Sequence, residues 1–191
     1  AWNGDVFVIY ENGYAPSTHT SQDGVNWTRH SDTISNIADI VWDGDQFLAP
    51  SYGSVFSSTD GISWADLGAP NAIPPHILWD GSQLVGVGNG YVGTSPDGLT
   101  WTDQSGNITS TTDAFTVGTT VFWNGSQYVA AGYTGVVLTS NNAVNWTQHL
   151  PTSTITNEEL ENVIWNGSIF VAVGRTGTIL TSADGITWTV Q

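Results

Sequence analysis

Along the whole chain, short apolar runs alternate with polar ones at the two-residue period of β-strands. Residues 165–188, WNGSIFVAVGRTGTILTSADGITW, show the pattern most clearly. It predicts three strands joined by tight turns, IFVAVG, TGTILTS and ITWTV, with a WNGS turn in front. The same pattern occurs five times. Its opening turn is WNGD at 2–5, WDGD at 42–45, WDGS at 79–82, and WNGS at 123–126 and 165–168. Its closing turn is SQDGVNW at 21–27, STDGISW at 58–64, SPDGLTW at 95–101, SNNAVNW at 140–146 and SADGITW at 182–188. All ten tryptophans sit in these two slots.

Each repeat resolves into four short strands, A to D. Strand A ends at the first tryptophan, as in 39–42, 76–79, 120–123 and 162–165. The Asn-Gly or Asp-Gly that follows predicts a two-residue type I′ hairpin, in which both central residues need positive φ. Strand B carries a large apolar residue at a fixed slot, namely Phe7, Phe47, Leu84, Tyr128 and Phe170. Strand C ends at the serine of the closing turn, and strand D carries the second tryptophan. Helical periodicity is absent apart from one turn predicted at 157–161. Four antiparallel strands per unit, with first tryptophans at 2, 42, 79, 123 and 165, predict an all-β, five-bladed β-propeller. A solenoid is the runner-up. The repeats span about 1–37, 38–74, 75–118, 119–160 and 161–191 of a single domain, 1–191. The chain starts and stops at nearly the same point of the repeat, which fits either a five-bladed ring or a segment of a longer array.

Composition narrows the function. The formal charge is −15, with only Arg29 and Arg175 as strong bases against 17 acidic residues. That charge repels phosphate backbones, so no nucleic-acid partner is expected, and no apolar run is long enough for membrane insertion. With no cysteine there is no disulfide, thiol nucleophile or cysteine zinc site. A Ser/Thr/Asn/Gly-rich surface suits a secreted or cell-surface bacterial protein. Sequons at Asn26, Asn107, Asn124, Asn145 and Asn166 read as turn chemistry rather than glycosylation sites.

The closing turn, S-x-D-G-x-x-W, resembles the Asp-box of BNR-repeat propellers, a superfamily that includes sialidases and photosystem II assembly propellers. The stretch GRTGTILTSADGITW is most similar to the latter group. The resemblance covers all five repeats and implies that Asp23, Asp60, Asp97 and Asp184 are structural turn residues. Asp accepts backbone N–H bonds, Gly supplies positive φ and Ser bonds across the hairpin. Repeat four departs, with Asn141, Asn142 and Ala143 in place of x-Asp-Gly; Asn is expected to tolerate the left-handed conformation there. Sialidase activity does not carry over, because two arginines cannot form a cluster of three.

In an antiparallel blade the A–B and C–D turns share one face, and the B–C turns and D–A connectors share the other. The second set varies between repeats, including connectors 30–38, 66–75, 103–119 and 149–161, so ligand specificity is placed there. Its candidate ligand-binding residues are Tyr10, Glu11, Asn12, Tyr14, Tyr52, Asn89, Tyr91, Tyr133 and Arg175. Tyrosines beside amides suit sugar rings, although tyrosines that merely cover blade edges are the plainer reading. The longer loop at 10–14 is the most specialised, and Arg175 has no counterpart in the other repeats.

Asp39, His76, Thr120 and Asn162 stand three before the first tryptophan and are assigned to the channel mouth, where they line either a polar pocket or plain solvent. Glu158, Glu159 and Glu161 form an acidic cluster. Such clusters can hold Ca²⁺, yet the spacing lacks the alternation of a calcium loop, so a solvated loop is preferred and no cofactor is expected. His19, His30 and His149 lack metal-ligand spacing. No catalytic residue is assigned. The expected function is a non-catalytic binding propeller with a protein or glycan ligand. The alternatives are a lectin, a structural subunit of a surface assembly, and a glycoside hydrolase, for which Asp39 lacks the second carboxylate.

Overall fold

The computed structural model describes residues 1–12, 16–31, 34–109, 120–132, 135–149 and 159–191. The chain is all-β, a five-bladed β-propeller whose blades are antiparallel meanders. The first blade is β1 (Phe7–Glu11), β2 (Ser17–Ser21) and β3 (Thr28–Ser31), with strand A reduced to a Trp2–Phe7 bridge. The second is β4 (Val41–Trp42), β5 (Phe47–Ser51), β6 (Ser54–Ser58) and β7 (Ala65–Gly68). The third is β8 (His76–Trp79), β9 (Leu84–Gly88), β10 (Tyr91–Ser95) and β11 (Thr102–Asp103). The fourth has five strands rather than the expected four. Outside β13 (Thr120–Trp123), β14 (Tyr128–Ala131), β15 (Val137–Ser140) and β16 (Trp146–His149), the connector strand β12 (Ile108–Thr109) pairs parallel to β16. The fifth is β17 (Leu160–Trp165), β18 (Phe170–Gly174), β19 (Ile179–Ser182) and β20 (Thr189–Val190). The helical turn expected at 157–161 is not formed where the structure describes it, since Leu160 and Glu161 are already extended in β17.

By contact density the described residues fall into two compact units. One is Ala1–Ile73 with Gly81–Leu84 and Ser95–Trp101; the other is Pro74–Asp80 with Val85–Thr94 and Thr102–Gln191.

The opening hairpins have the expected two-residue length but a different turn type. Gly4, Gly44, Gly81, Gly125 and Gly167 have φ between 96° and 105°, while the preceding Asn or Asp does not. Positive φ is therefore confined to the glycine, whereas a type I′ turn needs it at both central residues. The Asn or Asp works through its side chain instead. Asp43 Oδ1 accepts the N–H groups of Asp45 and Gln46 at 2.9 and 2.8 Å, and Asn3, Asn124 and Asn166 do the same in their repeats. A true pair of left-handed residues occurs on the other face, at Asn89 and Gly90 (φ 54° and 80°).

The closing turns are closed hydrogen-bond networks. In blade five, Ser182 Oγ donates to Asp184 Oδ1 at 2.9 Å and accepts from Gly185 N–H at 2.9 Å. The same Oδ1 accepts from Ile186 and Thr187 at 2.8 and 2.7 Å, and Trp188 Nε1 donates to the Gly185 carbonyl at 3.1 Å. Asp23, Asp60 and Asp97 make the equivalent backbone bonds. In repeat four Asn142 accepts the same pair, from Val144 and Asn145. The left-handed residue there is Ala143 (φ 60°) rather than an asparagine. Trp64 alone among the second-slot tryptophans leaves a buried Nε1 with no partner among the described residues; it packs with Ile34, Ile37 and Ala49.

Blades stack through a fixed set of slots. Val85, Val87 and Val92 of blade three pack against Tyr128, Leu138 and Trp146 of blade four. Val129, Ala131 and Val137 of blade four pack in turn against Phe170, Leu180 and Trp188 of blade five. Aliphatic residues on one face meet aromatic and large residues on the next, which removes both from water. A cross-strand pair recurs inside the blades: Thr20 with His30, Thr139 with His149 and Thr181 with Gln191 lie at 2.8 Å, and Thr94 with Gln104 at 3.4 Å. Burial holds His149 below the usual histidine range, with the Asp184 carboxylate acting the other way.

Candidate functional site

Among the described residues, much of the variable face is spent on packing and hydrogen bonding. Connector residues Ile34 and Ile37 are buried with Ala49, and Ile37 bridges to Ser51 at the edge of β5. Asn71 hooks the 66–75 connector onto the start of the third blade's strand D, through both its side chain and its N–H. Residues 105–109 form a 3₁₀ turn and β12. Residues 110–119 and 150–158 lie outside the described residues, as do Tyr14, Tyr133 and Glu158.

The remaining candidates divide. Tyr10 is half-buried against the Ile34–Ile37–Ala49 cluster. Tyr91 folds back along its own strand, so that a Cβ added at Gly93 would meet the Tyr91 hydroxyl. That hydroxyl has no hydrogen-bond partner among the described residues, and burial, helped by the Asp103 carboxylate, pushes its pKa up to about 12. Both follow the edge-covering reading of the tyrosines. Tyr52, by contrast, is 85% exposed at the β5–β6 turn, and Asn89 is exposed in the neighbouring blade's turn.

Arg175 is not an open ligand group. Its Nη2 lies 2.8 Å from Glu159 Oε2 and its Nε donates to Glu161 Oε1 at 2.9 Å. The acidic cluster and the singular arginine therefore explain each other, since the described glutamates bind this guanidinium. Among the described residues no group of three or more His, Asp or Glu side chains is placed to hold a metal ion.

A polar group in the first blade needs a chemical check. Ser17 Oγ, His19 Nε2 and Glu11 Oε2 lie within 3.1–3.5 Å of one another, and Arg29 Nε donates to Ser17 Oγ at 3.0 Å. Serine and carboxylate meet the same imidazole nitrogen. A catalytic triad needs them on opposite nitrogens, so that the carboxylate holds the tautomer while the other nitrogen takes the serine proton. This arrangement cannot relay a proton in that way.

Three sequence candidates do converge. Tyr10 and Asn12 from the first B–C turn meet Asp39, at the entry to blade two, around a cleft of about 260 Å³. Ile9, Ile37 and Ile40 supply its apolar lining. Asn12 Nδ2 donates to the Ile37 carbonyl at 3.3 Å, and Asp39 Oδ1 accepts the Ile40 N–H at 2.8 Å. The other channel-mouth residues are not among those that line this cleft. Thr120 Oγ1 donates to Asn162 Oδ1 at 3.1 Å, and His76 opens β8.

Sequence reasoning missed a second kind of cleft, on the face of the conserved turns. In the first blade it is lined by Val6, Thr20, Ser21, Asp23, Asn26 and Thr28, extended by Asp60 and Ile62 of the second. In the fifth blade the same slots recur as Ile169, Thr181, Ser182, Asp184, Thr187 and Thr189. The fixed spacing of these hydroxyl and carboxylate positions was the available signal.

The fold has wide company. YCF48 bound to D1 peptide superposes with a TM-score of 0.62 at 16% identity, over 94% of this chain and 61% of that one. YCF48 from Cyanidioschyzon merolae gives 0.60 at 13%, over 98% and 69%. An ancestral GH74 enzyme gives 0.63 at 14%, over 100% of this chain and 30% of its own. The chain thus spans about three-fifths of the first YCF48 structure and less than a third of the GH74 enzyme, and identities this low establish likeness of fold alone. No curated protein sequence matches the chain. Residues 95–191, just over half of the sequence, match the DUF6242 beta propeller domain, and with the five-bladed architecture above this places the chain in the DUF6242 beta propeller family.

Proposed function

We propose that the protein is a non-catalytic binding propeller of a secreted or cell-surface bacterial protein, and that it takes an extended segment of a protein ligand on the B–C and D–A face of its first blade. The observation that carries this is the convergence of Tyr10, Asn12 and Asp39 on one cleft beside Ile9, Ile37 and Ile40. An apolar wall with a few polar groups is the usual make-up of a recognition site. Asp39 offers a carboxylate to a ligand N–H or cation, and the isoleucines take apolar side chains. A fold neighbour that carries a peptide, YCF48 with D1 peptide, agrees with this class of ligand. Hydrolysis of a glycosidic bond needs two carboxyl groups flanking the bond, and among the described residues Asp39 is the one carboxylate lining the cleft.

The test is selection of peptides from a displayed random library on the intact chain, followed by titration against variants. Asp39→Ala and Ile40→Ser are expected to weaken the selected peptides at least tenfold (about 1.4 kcal/mol), with the fold unchanged by circular dichroism. Equal binding by both variants would remove the cleft from consideration.

A second reading, carbohydrate binding, rests on the equivalent clefts of blades one and five. Repeated hydroxyl and carboxylate positions would give several similar weak sites, whose strength comes from multivalency. A glycan array without hits removes it.

A further inference from the structure

Asn3, Asn12, Asn89, Asn124 and Asn166 each precede a glycine. Such a pair is reactive because glycine has no side chain to shield its backbone nitrogen. That nitrogen can reach the carboxamide carbon of the residue before it. Gly13, which follows Asn12, lies outside the described residues. The structure separates the other four pairs into two classes.

Asn3, Asn124 and Asn166 have their side chains tied down in the opening turns. Asn3 Oδ1 accepts the N–H groups of Asp5 and Val6 at 2.9 and 2.8 Å. Asn124 Oδ1 accepts those of Ser126 and Gln127 at 2.9 and 2.8 Å, and the Ser126 hydroxyl at 3.0 Å. Asn166 Oδ1 accepts those of Ser168 and Ile169, both at 2.9 Å. Each carboxamide is thus aimed at the two residues beyond its glycine. Turning it onto the glycine nitrogen breaks both backbone bonds. A carboxylate itself is compatible with this turn, since Asp43 accepts the same pair of N–H groups. The protection lies in the immobile side chain.

Asn89 belongs to the other class. It is exposed at the tip of the β9–β10 turn, with a left-handed φ of 54°. Among the described residues its carboxamide has no hydrogen-bond partner to hold it. The stem of the turn is fixed, because a Cβ added at Gly88 would collide with Pro75. Freedom is therefore confined to the Asn89–Gly90 tip.

We propose that Asn89 is a site of spontaneous covalent modification, at which its carboxamide becomes a carboxylate. The Gly90 nitrogen attacks Asn89 Cγ and gives up its proton to solvent. A bond forms between that nitrogen and Cγ, the Cγ–Nδ2 bond breaks, and Nδ2 leaves as ammonia. Water then opens the resulting succinimide at either carbonyl, giving aspartate or isoaspartate. Nothing is oxidised or reduced. The change puts a negative charge on the B–C turn of blade three, and the isoaspartyl product lengthens that turn's backbone by one carbon. This reaction does not depend on peptide binding at the Asp39 cleft.

The test incubates the intact chain in mildly alkaline buffer and follows each asparagine by peptide mass mapping, with isoaspartyl peptides separated by their elution. Asn89 is expected to convert about tenfold faster than Asn3, Asn124 or Asn166, because each of those must first release two hydrogen bonds (tenfold in rate is about 1.4 kcal/mol). In concentrated urea the four rates should converge, since every side chain is then solvated and every neighbour is glycine. Equal rates in the folded chain, or conversion of Asn124 or Asn166 ahead of Asn89, overturns the proposal. A ranking that persists unchanged in urea also overturns it, because the difference would then lie in local sequence and not in the fold.

Discussion

The side chain of Asn71 clamps the backbone of Trp101: Nδ2 donates to the Trp101 carbonyl at 2.9 Å, and Oδ1 accepts the Trp101 N–H at 2.7 Å. A connector residue thereby imitates one rung of a β-ladder at the strand that carries the second tryptophan.

Asn71→Ala is expected to cost about 1–2 kcal/mol, because it leaves a backbone donor and acceptor to be resatisfied at a partly buried site. Asn71→Asp keeps the acceptor and loses the donor, so it should fall between. Urea unfolding followed by tryptophan fluorescence measures both. A loss below about 0.3 kcal/mol for Asn71→Ala would mean that the clamp follows the fold rather than supports it.

Arg175 bridges Glu159, which is only 9% exposed, and the more exposed Glu161. Removing the cation leaves a poorly solvated carboxylate unpaired, while exposure of the arginine itself limits the effect. Arg175→Ala should therefore destabilise by about 1 kcal/mol. Arg175→Lys should recover only part, since a compact ammonium cannot reproduce the separate, planar Nε and Nη2 donors that meet the two carboxylates. Peptide binding at the Asp39 cleft should not change; a binding defect without a stability loss would restore Arg175 as a ligand residue.

Two glycines of positive φ should respond differently to the same change. A Cβ at Gly61 (φ 72°) would lie 2.3 Å from Val8 Cγ2 of the neighbouring blade, whereas at Gly4 (φ 105°) it meets nothing within 4 Å. Gly4→Ala should cost about 1 kcal/mol from backbone strain alone. Gly61→Ala should cost about 2–4 kcal/mol, because overpacking is added. Thermal unfolding of the two variants decides this, and equal losses would count against close blade packing at Val8.

Asp184 is held at about 2, below its usual value of 3.8, first by the N–H of Thr187 and then by that of Ile186. Asp23 is lowered in the same direction, by the N–H groups of Asn26 and Val25. A carboxyl whose folded pKa is depressed stabilises the fold above its unfolded pKa, and that stability is lost as pH falls. For Asp184 the window runs from about pH 4 down to about 2. Asn142 shows that a neutral amide closes the same turn. Asp184→Asn should therefore fold at pH 7 and lose less stability than the parent between pH 4 and 2. Identical acid profiles would mean that this turn is not linked to protonation.

Much of the scaffold was legible because each repeat solves the same local problem five times. The tryptophan slots, the strand B slot and the Ser-x-Asp-Gly turn follow from hydrogen bonds between residues two and three apart, which any chain with that order of side chains will make. The turn type was misread at Gly44 and its equivalents because Asp43 and its counterparts act through their side chains rather than through φ. Sequence could not show that Ile34 and Ile37 of a variable connector are core, nor that Ile108 starts a fifth strand, since both depend on partners 12 or more residues away.

Sequence by itself determined the five blades, the meander order of their A to D strands and the structural role of Asp23, Asp60, Asp97 and Asp184, because period and turn chemistry are local. Only the tertiary structure decided which variable residues are spent on stability and which remain open to a ligand. It turned Arg175 toward Glu159 and Glu161, laid Tyr91 over Gly93, and gathered Tyr10, Asn12 and Asp39 around one cleft. The physical reason is that exposure and pairing are properties of how distant segments share space, and no spacing along the chain encodes them.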